Sequence, residues 1–273
     1  MPDWNGLRGP ILLAHRGASL EAPENSMSAF RRALELGADV LEMDAQATKD
    51  GAIVVSHDPS GERTAGVDRP ISSCTLAEVR SWDIGRGWAQ TRAGRRSGAR
   101  GSVRIPALEE VLEELPGAVL NLDIKPPDPL VADRVVQLVE RQNAHQRVLL
   151  TSFRLSVVRR VQERGYQGAV GMSRLQVVAA LLLPRFISTA SGGRAQIPIR
   201  YGPLPLDSRR VLDKLHALGL KVDHWVVNRQ DRAERLLERG ADGIVTDDVA
   251  GMAELFRRSP LTAAWRERHS AIS

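Results

Sequence analysis

Short apolar runs of β type alternate with helical stretches from one end of this 273-residue chain to the other. That rhythm constrains the fold more than any other feature. Strands are predicted at Ile11–Ala14, Val40–Asp44, Val119–Ile124, Val148–Thr151, Ala169–Met172, Gln196–Ile199, Val222–Val227 and Gly243–Thr246. Apolar residues at helical spacing fill the intervals, as in Met27, Phe30, Ala33 and Leu34 of the stretch Ser26–Leu36. Strands that alternate with helices of this length form βαβ units and a parallel sheet. Eight such units in a chain of this length make an α/β fold of the (β/α)8 TIM-barrel type. A doubly wound sheet is the alternative, but no Gly-rich phosphate fingerprint follows the first strand.

Two stretches interrupt the rhythm. Ile53–Ser56 reads as a short excursion from the second unit, and the polar, Gly/Arg-rich segment of about residues 59–105 follows it. Trp82 and Trp88 are too few anchors for a separate domain, so this segment is expected to be a small insertion after the second strand, folded over one end of the barrel. Ser188–Leu206 is rich in Ser, Gly and Pro and is expected to hold one short strand at most. The barrel is then a single domain over 1–258, with a tail over 259–273.

An internal echo accompanies the repeat. Gly37-Ala38-Asp39 precedes the second strand and Gly240-Ala241-Asp242 the last, and those strands end in Asp44 and Asp247. The glycine suits a left-handed helix C-cap.

Composition excludes several classes. The one cysteine, Cys74, rules out an internal disulfide and a four-thiolate zinc site. The longest uninterrupted apolar run, Val177–Leu183, is far shorter than the roughly 18 residues a membrane-spanning helix needs. The N-terminus lacks a basic start followed by an apolar stretch, so no secretory signal is read there and a cytoplasmic location is the default. The net charge of +5 is local: Arg86, Arg92, Arg95, Arg96, Arg100 and Arg104 lie in a stretch without acids, and without them the chain is near neutral. A nucleic-acid-binding protein carries a broader basic face, and no obligate protein partner is evident. The arginines read either as a solvated loop or as an attraction for a phosphate-bearing or membrane-surface substrate.

Active sites of such barrels lie at the C-terminal ends of the strands. There this chain places His15-Arg16-Gly17, Glu42-x-Asp44, His57-Asp58, Asp123-x-Lys125, Trp225 and Asn228. A spacing of two puts each pair on one face of its strand. Three carboxylates without thiols, Glu42, Asp44 and Asp123, suit one hard divalent cation, Mg2+ or Ca2+. Arg16 and Lys125 suit a phosphate or carboxylate anion. His15 and His57 suit acid–base work near neutral pH. Each has a plainer reading: a structural histidine, a salt-bridge ladder, a snorkelling lysine, a packed tryptophan. Their joint placement at strand ends points instead to displacement at phosphorus.

The segments His15-Arg16-Gly17, Pro23-Glu24-Asn25-Ser26, Glu42-x-Asp44, Thr48-Lys49-Asp50-Gly51 and Val54-Val55-Ser56-His57-Asp58 closely resemble the glycerophosphodiester phosphodiesterase family. Leu122-Asp123-Ile124-Lys125, Trp225-Val226-Val227-Asn228 and the stretch from Gly240 to Asp247 continue the likeness in the same order. The resemblance implies a metal-dependent cleavage of glycerophosphodiesters, small-molecule or lipid-derived, to glycerol 3-phosphate and an alcohol. On it His15 and His57 are the acid–base pair, Glu42, Asp44 and Asp123 bind metal, and Arg16 and Lys125 hold phosphate. Glu24 lines the site and Trp225 walls the glycerol side. The family usually carries Glu at the place of Asp123, a side chain longer by one C–C bond; metal affinity and metal choice turn on that difference. Three other readings stand beside it: a lysophospholipase D-like hydrolase of lipid head-group diesters in peripheral contact with a membrane, a Schiff-base lyase using Lys125, and a non-catalytic binding barrel.

Overall fold

The computed structural model describes residues 3–91, 94–95, 101–183 and 193–270. Arg92, Arg96 and Arg100 of the basic stretch and the first part of Ser188–Leu206 lie outside them.

The eight expected strands are β1 (Ile11–Ala14), β2 (Val40–Ala47), β6 (Val119–Ile124), β7 (Val148–Thr151), β8 (Ala169–Val170), β9 (Arg194–Pro198), β12 (Lys221–Trp225) and β13 (Gly243–Thr246). They run in the order β8-β7-β6-β2-β1-β13-β12-β9, all parallel. A single parallel bridge, Gly171 to Arg194, spans the gap between β8 and β9, so the barrel is nearly closed. The excursion β3 (Ile53–Val55) pairs antiparallel with β2. The helices are α1 (Met27–Glu35), α2 (Glu62–Ala65), α3 (Leu76–Arg80), α4 (Gly85–Ala89), α5 (Leu108–Glu114), α6 (Pro129–Arg141), α7 (Leu155–Glu163), α8 (Arg174–Leu182), α9 (Arg209–His216), α10 (Gln230–Glu238), α11 (Val249–Arg258) and α12 (Ala263–Arg268).

The period-two alternation of the strands sorts their side chains. Leu12, Leu41, Leu120, Leu150, Val222 and Ile244 pack outward among the helices, together with Phe30 and Phe256. Burying each of those two rings is worth roughly 1.5–3 kcal/mol. Ile11, Leu13, Val40, Val119, Leu149 and Val245 pack inside the barrel over Trp4, whose indole donates to the Leu120 carbonyl at 2.7 Å. Higher in the lumen the residues turn polar: Asn121 and Gln196 pair at 3.1 Å, and Arg194 holds Asp223 through two hydrogen bonds. The catalytic candidates form the layer above.

The repeated Gly-Ala-Asp segments have one structural task. Asp39 accepts the Leu12 N–H at 2.8 Å and Asp242 the Val222 N–H at 2.9 Å, so each aspartate ties the base of its own strand to the neighbouring one. The chain end reinforces the first of these: Arg268 of α12 donates to Asp39, and Trp265 donates to the Gly37 carbonyl.

The insertion has structure of its own, and one other region differs from expectation. The insertion carries the short strands β4 (Ser60–Gly61) and β5 (Val67–Pro70) with α2, α3 and α4, around a small core of its own that includes Ile71, Cys74, Val79, Trp82 and Ile105. Ser188–Leu206 was expected to hold at most one strand; its described part holds three, because after β9 the chain turns at Gly202 (φ +58°) and pairs β10 (Arg200–Tyr201) with β11 (Leu204–Pro205). That hairpin's strands are two residues long and flanked by prolines, too short to leave an alternating pattern. Among the described residues no helix is long and apolar enough to cross a membrane.

Candidate active site

The turn after β1 sets the site. His15 N–H completes the ladder with the Thr246 carbonyl, after which Arg16 and Gly17 enter left-handed conformations (φ +57° and +82°). A Cβ at Gly17 would lie 2.7 Å from the backbone of Ala29, so only glycine lets the turn approach α1 this closely. Arg16 bears a left-handed conformation that costs about 1–3 kcal/mol. It is held there by its N–H to Glu42 Oε2 at 2.9 Å and by the Asn25 N–H on its carbonyl at 2.9 Å. The following segment serves the same end: Ser26 caps α1 by accepting from the Ala29 N–H, and Asn25 donates to Asp44 Oδ2 at 2.9 Å.

His15, Arg16, Glu42, Asp44, His57, Asp123, Lys125 and Trp225 all line one cleft of about 710 Å3 at the C-terminal ends of the strands. Glu24 stands differently from the expectation that it lines the site. Its carboxylate is taken up by the Arg16 guanidinium at 2.8 Å and by two N–H groups of Arg63 at 2.7 and 2.8 Å, so it orients Arg16 from behind.

Each histidine has its own carboxylate. His15 Nδ1 lies 2.7 Å from Asp247 Oδ1, and Asp247 also accepts from Ser19 and from Asn228 Nδ2. His57 Nδ1 lies 2.8 Å from Asp58 Oδ1, whose other oxygen accepts from Arg63 Nε at 2.6 Å. Burial works against the charged imidazole of His15, but the Asp247 bond and the Glu42 charge outweigh it and raise its pKa.

The three carboxylates are almost wholly out of water. Lys125 Nζ sits between Asp44 Oδ1 at 2.8 Å and Asp123 Oδ2 at 2.6 Å, and Arg16 Nε is 3.3 Å from Asp44. Burial alone would raise the Asp44 pKa; Lys125, Arg16 and the Asn25 amide overcome it and hold the carboxyl below its usual range. Glu42 lacks a cation at this range, and burial together with the Asp44 charge pushes it up to about 7. Burial raises Asp123 as well, in spite of Lys125. Among the described residues no three His, Cys, Asp or Glu side chains converge as a ready-made cage. The donor set nonetheless fits a hard cation in kind. Every donor is a carboxylate oxygen, and the buried Asp123 Oδ1 has no hydrogen-bond partner among the described residues.

Residues that spacing did not single out complete the site. Asp247 was visible as an acid ending a strand, but its partner lies 232 positions away. Arg63 sits in the insertion, and Phe153, from the loop after β7, meets Trp225 edge-on at 5.8 Å. Asp248 caps α11 by accepting the Gly251 N–H, which accounts for the second acid of Asp247-Asp248.

A barrel with two carboxylate-paired histidines and a cation-lined cleft defines a phosphoric diester hydrolase class. The chain matches the profile of the glycerophosphoryl diester phosphodiesterase family over residues 15–250 and belongs to that family. It is 30% identical to a glycerophosphodiester phosphodiesterase of Caldanaerobacter subterraneus subsp. tengcongensis, covering 91% of this chain and 98% of that one. It is 28% identical to human lysophospholipase D GDPD1, covering 86% and 82%. Its fold is similar to that of the Agrobacterium tumefaciens glycerophosphodiester phosphodiesterase (TM-score 0.73, 24% identity, covering 90% and 99%). It is also similar to an Oleispira antarctica phosphodiesterase solved with the product sn-glycerol-3-phosphate (TM-score 0.71, 22% identity, covering 91% and 97%). The family is generally dependent on a divalent cation.

Proposed function

We propose that this chain hydrolyses glycerophosphodiesters to glycerol 3-phosphate and an alcohol, with His15 and His57 as the acid–base pair. One observation carries the reading: two histidines line the same cleft, each with Nδ1 bonded to its own carboxylate. That bond fixes the ring and leaves Nε2 for proton transfer. Arg16 and Lys125 bind the phosphate and offset its charge. One histidine takes the proton of the attacking oxygen, from water or from the glycerol hydroxyl, and the other gives a proton to the departing alkoxide, so the P–O bond to the alcohol breaks as a new P–O bond forms; where the glycerol hydroxyl attacks, water then opens the cyclic phosphate to glycerol 3-phosphate. Glu42, Asp44 and Asp123 are the residues that would hold one divalent cation, Mg2+ or Ca2+. When bound, the cation supplies charge neutralisation at the phosphate oxygens.

A lipid-bearing diester is the second reading, favoured by the apolar wall that faces the cations across the cleft.

The test is release of glycerol 3-phosphate from glycerophosphocholine in Mg2+, in Ca2+ and in EDTA, with His15→Ala alongside. Metal-dependent release that drops about 10²–10⁴-fold in the variant is the expected result. Release that survives His15→Ala would remove the histidine pair from the chemistry. Early product by ³¹P NMR separates the two nucleophiles: a cyclic phosphate marks attack by the glycerol hydroxyl, and ¹⁸O from water in the first turnover without a cyclic species marks attack by water.

A further inference from the structure

Arg63 sits on α2 of the insertion and is not among the described residues that line the cleft. Its guanidinium nevertheless reaches two loops of the site. Two of its N–H groups donate to Glu24, at 2.7 Å to Oε1 and 2.8 Å to Oε2, and its Nε donates to Asp58 Oδ2 at 2.6 Å. Glu24, after β1, passes the contact on to the Arg16 guanidinium at 2.8 Å. Asp58, after β3, passes it on to His57 Nδ1 at 2.8 Å. One side chain thus stands behind a cation of the phosphate site and behind one histidine of the acid–base pair. The other histidine is braced differently: Asp247 takes its further bonds from Ser19 and Asn228, both on barrel loops.

The backbone under Arg63 is closely held. A Cβ at Gly87 of α4 would lie 2.5 Å from the Arg63 carbonyl oxygen and 2.7 Å from that of Thr64, so α4 packs directly on the α2 main chain. Ala65, two residues on, is buried with Trp82 in the core of the insertion. The Arg63 side chain itself is half exposed, so its three bonds rather than packing fix its direction. A planar fork can serve two carboxylates at once, which the point charge of lysine does not. Both acceptors stay ionised. Burial would raise Glu24, but the Arg63 and Arg16 contacts hold it below its usual range, and the His57 and Arg63 bonds do the same for Asp58.

We infer that Arg63 is a positioning residue that ties Arg16 to His57 through Glu24 and Asp58, so that the insertion sets the place of the proton-transferring ring relative to the bound phosphate. The inference rests on the roles given to Arg16 and His57 in the proposed function. Misplacing a reacting group by about 1 Å costs about 10²-fold in rate.

The test compares Arg63→Ala and Arg63→Lys with Arg80→Ala, which removes a different anchor of the insertion, the bond from Arg80 of α3 to Glu110 of α5. Arg63→Ala should lower kcat for glycerophosphocholine by about tenfold to 10²-fold. It should also weaken calorimetric binding of glycerol 3-phosphate by about fivefold, the weight of one loosened hydrogen bond. Arg63→Lys should recover part of the kcat loss, and Arg80→Ala should leave kcat and binding unchanged. The His57 ring gives a readout that needs no turnover. At a pH where the ring is neutral, ¹⁵N NMR, assigned with His57→Gln, should show the Nδ1-protonated tautomer in the wild type and in Arg80→Ala, and a mixture of the two tautomers in Arg63→Ala. Losses of kcat shared by Arg63→Ala and Arg80→Ala in step with thermal stability overturn the inference and leave Arg63 as a fastener of the insertion. A His57 tautomer unchanged in Arg63→Ala overturns it whether or not the diester is cleaved. A wild type that cleaves no diester, with the tautomer shifted in Arg63→Ala, overturns the reading of the reaction and keeps the coupling of Arg63 to His57.

Discussion

Around the mouth of the barrel, β1, β2, β6 and the turn after β3 present His15, Arg16, Glu42, Asp44, His57, Asp123 and Lys125, whereas the opposite side presents Val178, Leu182, Leu204 and Phe153. The two sides are held in place by different physics. On the polar side nearly every group is fixed by another charged or amide group: Glu24 holds Arg16, Asn25 holds Asp44, Asp247 holds His15 and Asp58 holds His57. Buried charges of this kind are costly to strand, because removing one partner leaves the other unpaired in a poor solvent. On the apolar side, position comes from helix and hairpin packing, and single changes there cost only local contact area. On the proposed function the polar side acts on the phosphate that every diester shares, and the apolar side meets whatever else the substrate carries.

The sharpest way to break that division is Asp247→Asn. Aspartate fixes the His15 ring and stabilises its charged form; asparagine keeps the size and removes the charge. A loss of about 10²-fold in kcat is expected, of the order of a general acid–base contribution. The same factor should appear for deacylated and monoacyl substrates alike. Because Asp247 raises the His15 pKa, the limb of the pH–rate profile that reports His15 should move to lower pH in the variant. Parallel kcat measurements on the two substrates decide the point: a loss that depends on the alcohol or the acyl chain would tie the polar side to substrate choice and dissolve the contrast.

The polar side was also the legible one. Its residues break the rule that strand ends inside a barrel are filled by Val, Ile or Leu, so Glu42-x-Asp44 and Asp123-x-Lys125 stand out by spacing alone. The eight strands were legible for the related reason that βαβ units repeat a two-fold and a 3.6-fold pattern in turn. The apolar wall was legible only in part: the apolar run at Val177–Leu183 suits a membrane-facing stretch as well as core, and only the fold decides that Val178 and Leu182 face outward. The hairpin escaped because its strands are two residues long. Pairings across the chain, His15 with Asp247 and Glu24 with Arg63, join loops that only barrel closure brings together. The partners of Glu24 were hidden for the same reason: nothing in the sequence shows that Arg16 and Arg63 both donate to its carboxylate.

The smallest expected effect tests the far side of β12, the strand that carries Trp225 into the cleft. His224, its neighbour, points away among the strands and helices. It is completely buried, and neither ring nitrogen finds a hydrogen-bond partner among the described residues. Burial, against the Asp223 charge, lowers its pKa to about 4, so the native imidazole stays neutral at pH values where the unfolded one has charged. Between about 6.5 and about 4 the unfolded chain therefore binds a proton that the native chain does not, and stability falls as pH falls, by about 1.4 kcal/mol per pH unit; above 6.5 the histidine contributes no slope. His224→Phe keeps a ring in the same space and removes the proton. Urea unfolding of both proteins at pH 7.5 and pH 5 should show the wild type losing about 2 kcal/mol more than the variant over that interval. Equal losses would mean that the native imidazole charges as readily as the unfolded one. β12 would then hold a buried charge on its outer face, without the hydrogen-bonded carboxylate that His15 and His57 each have.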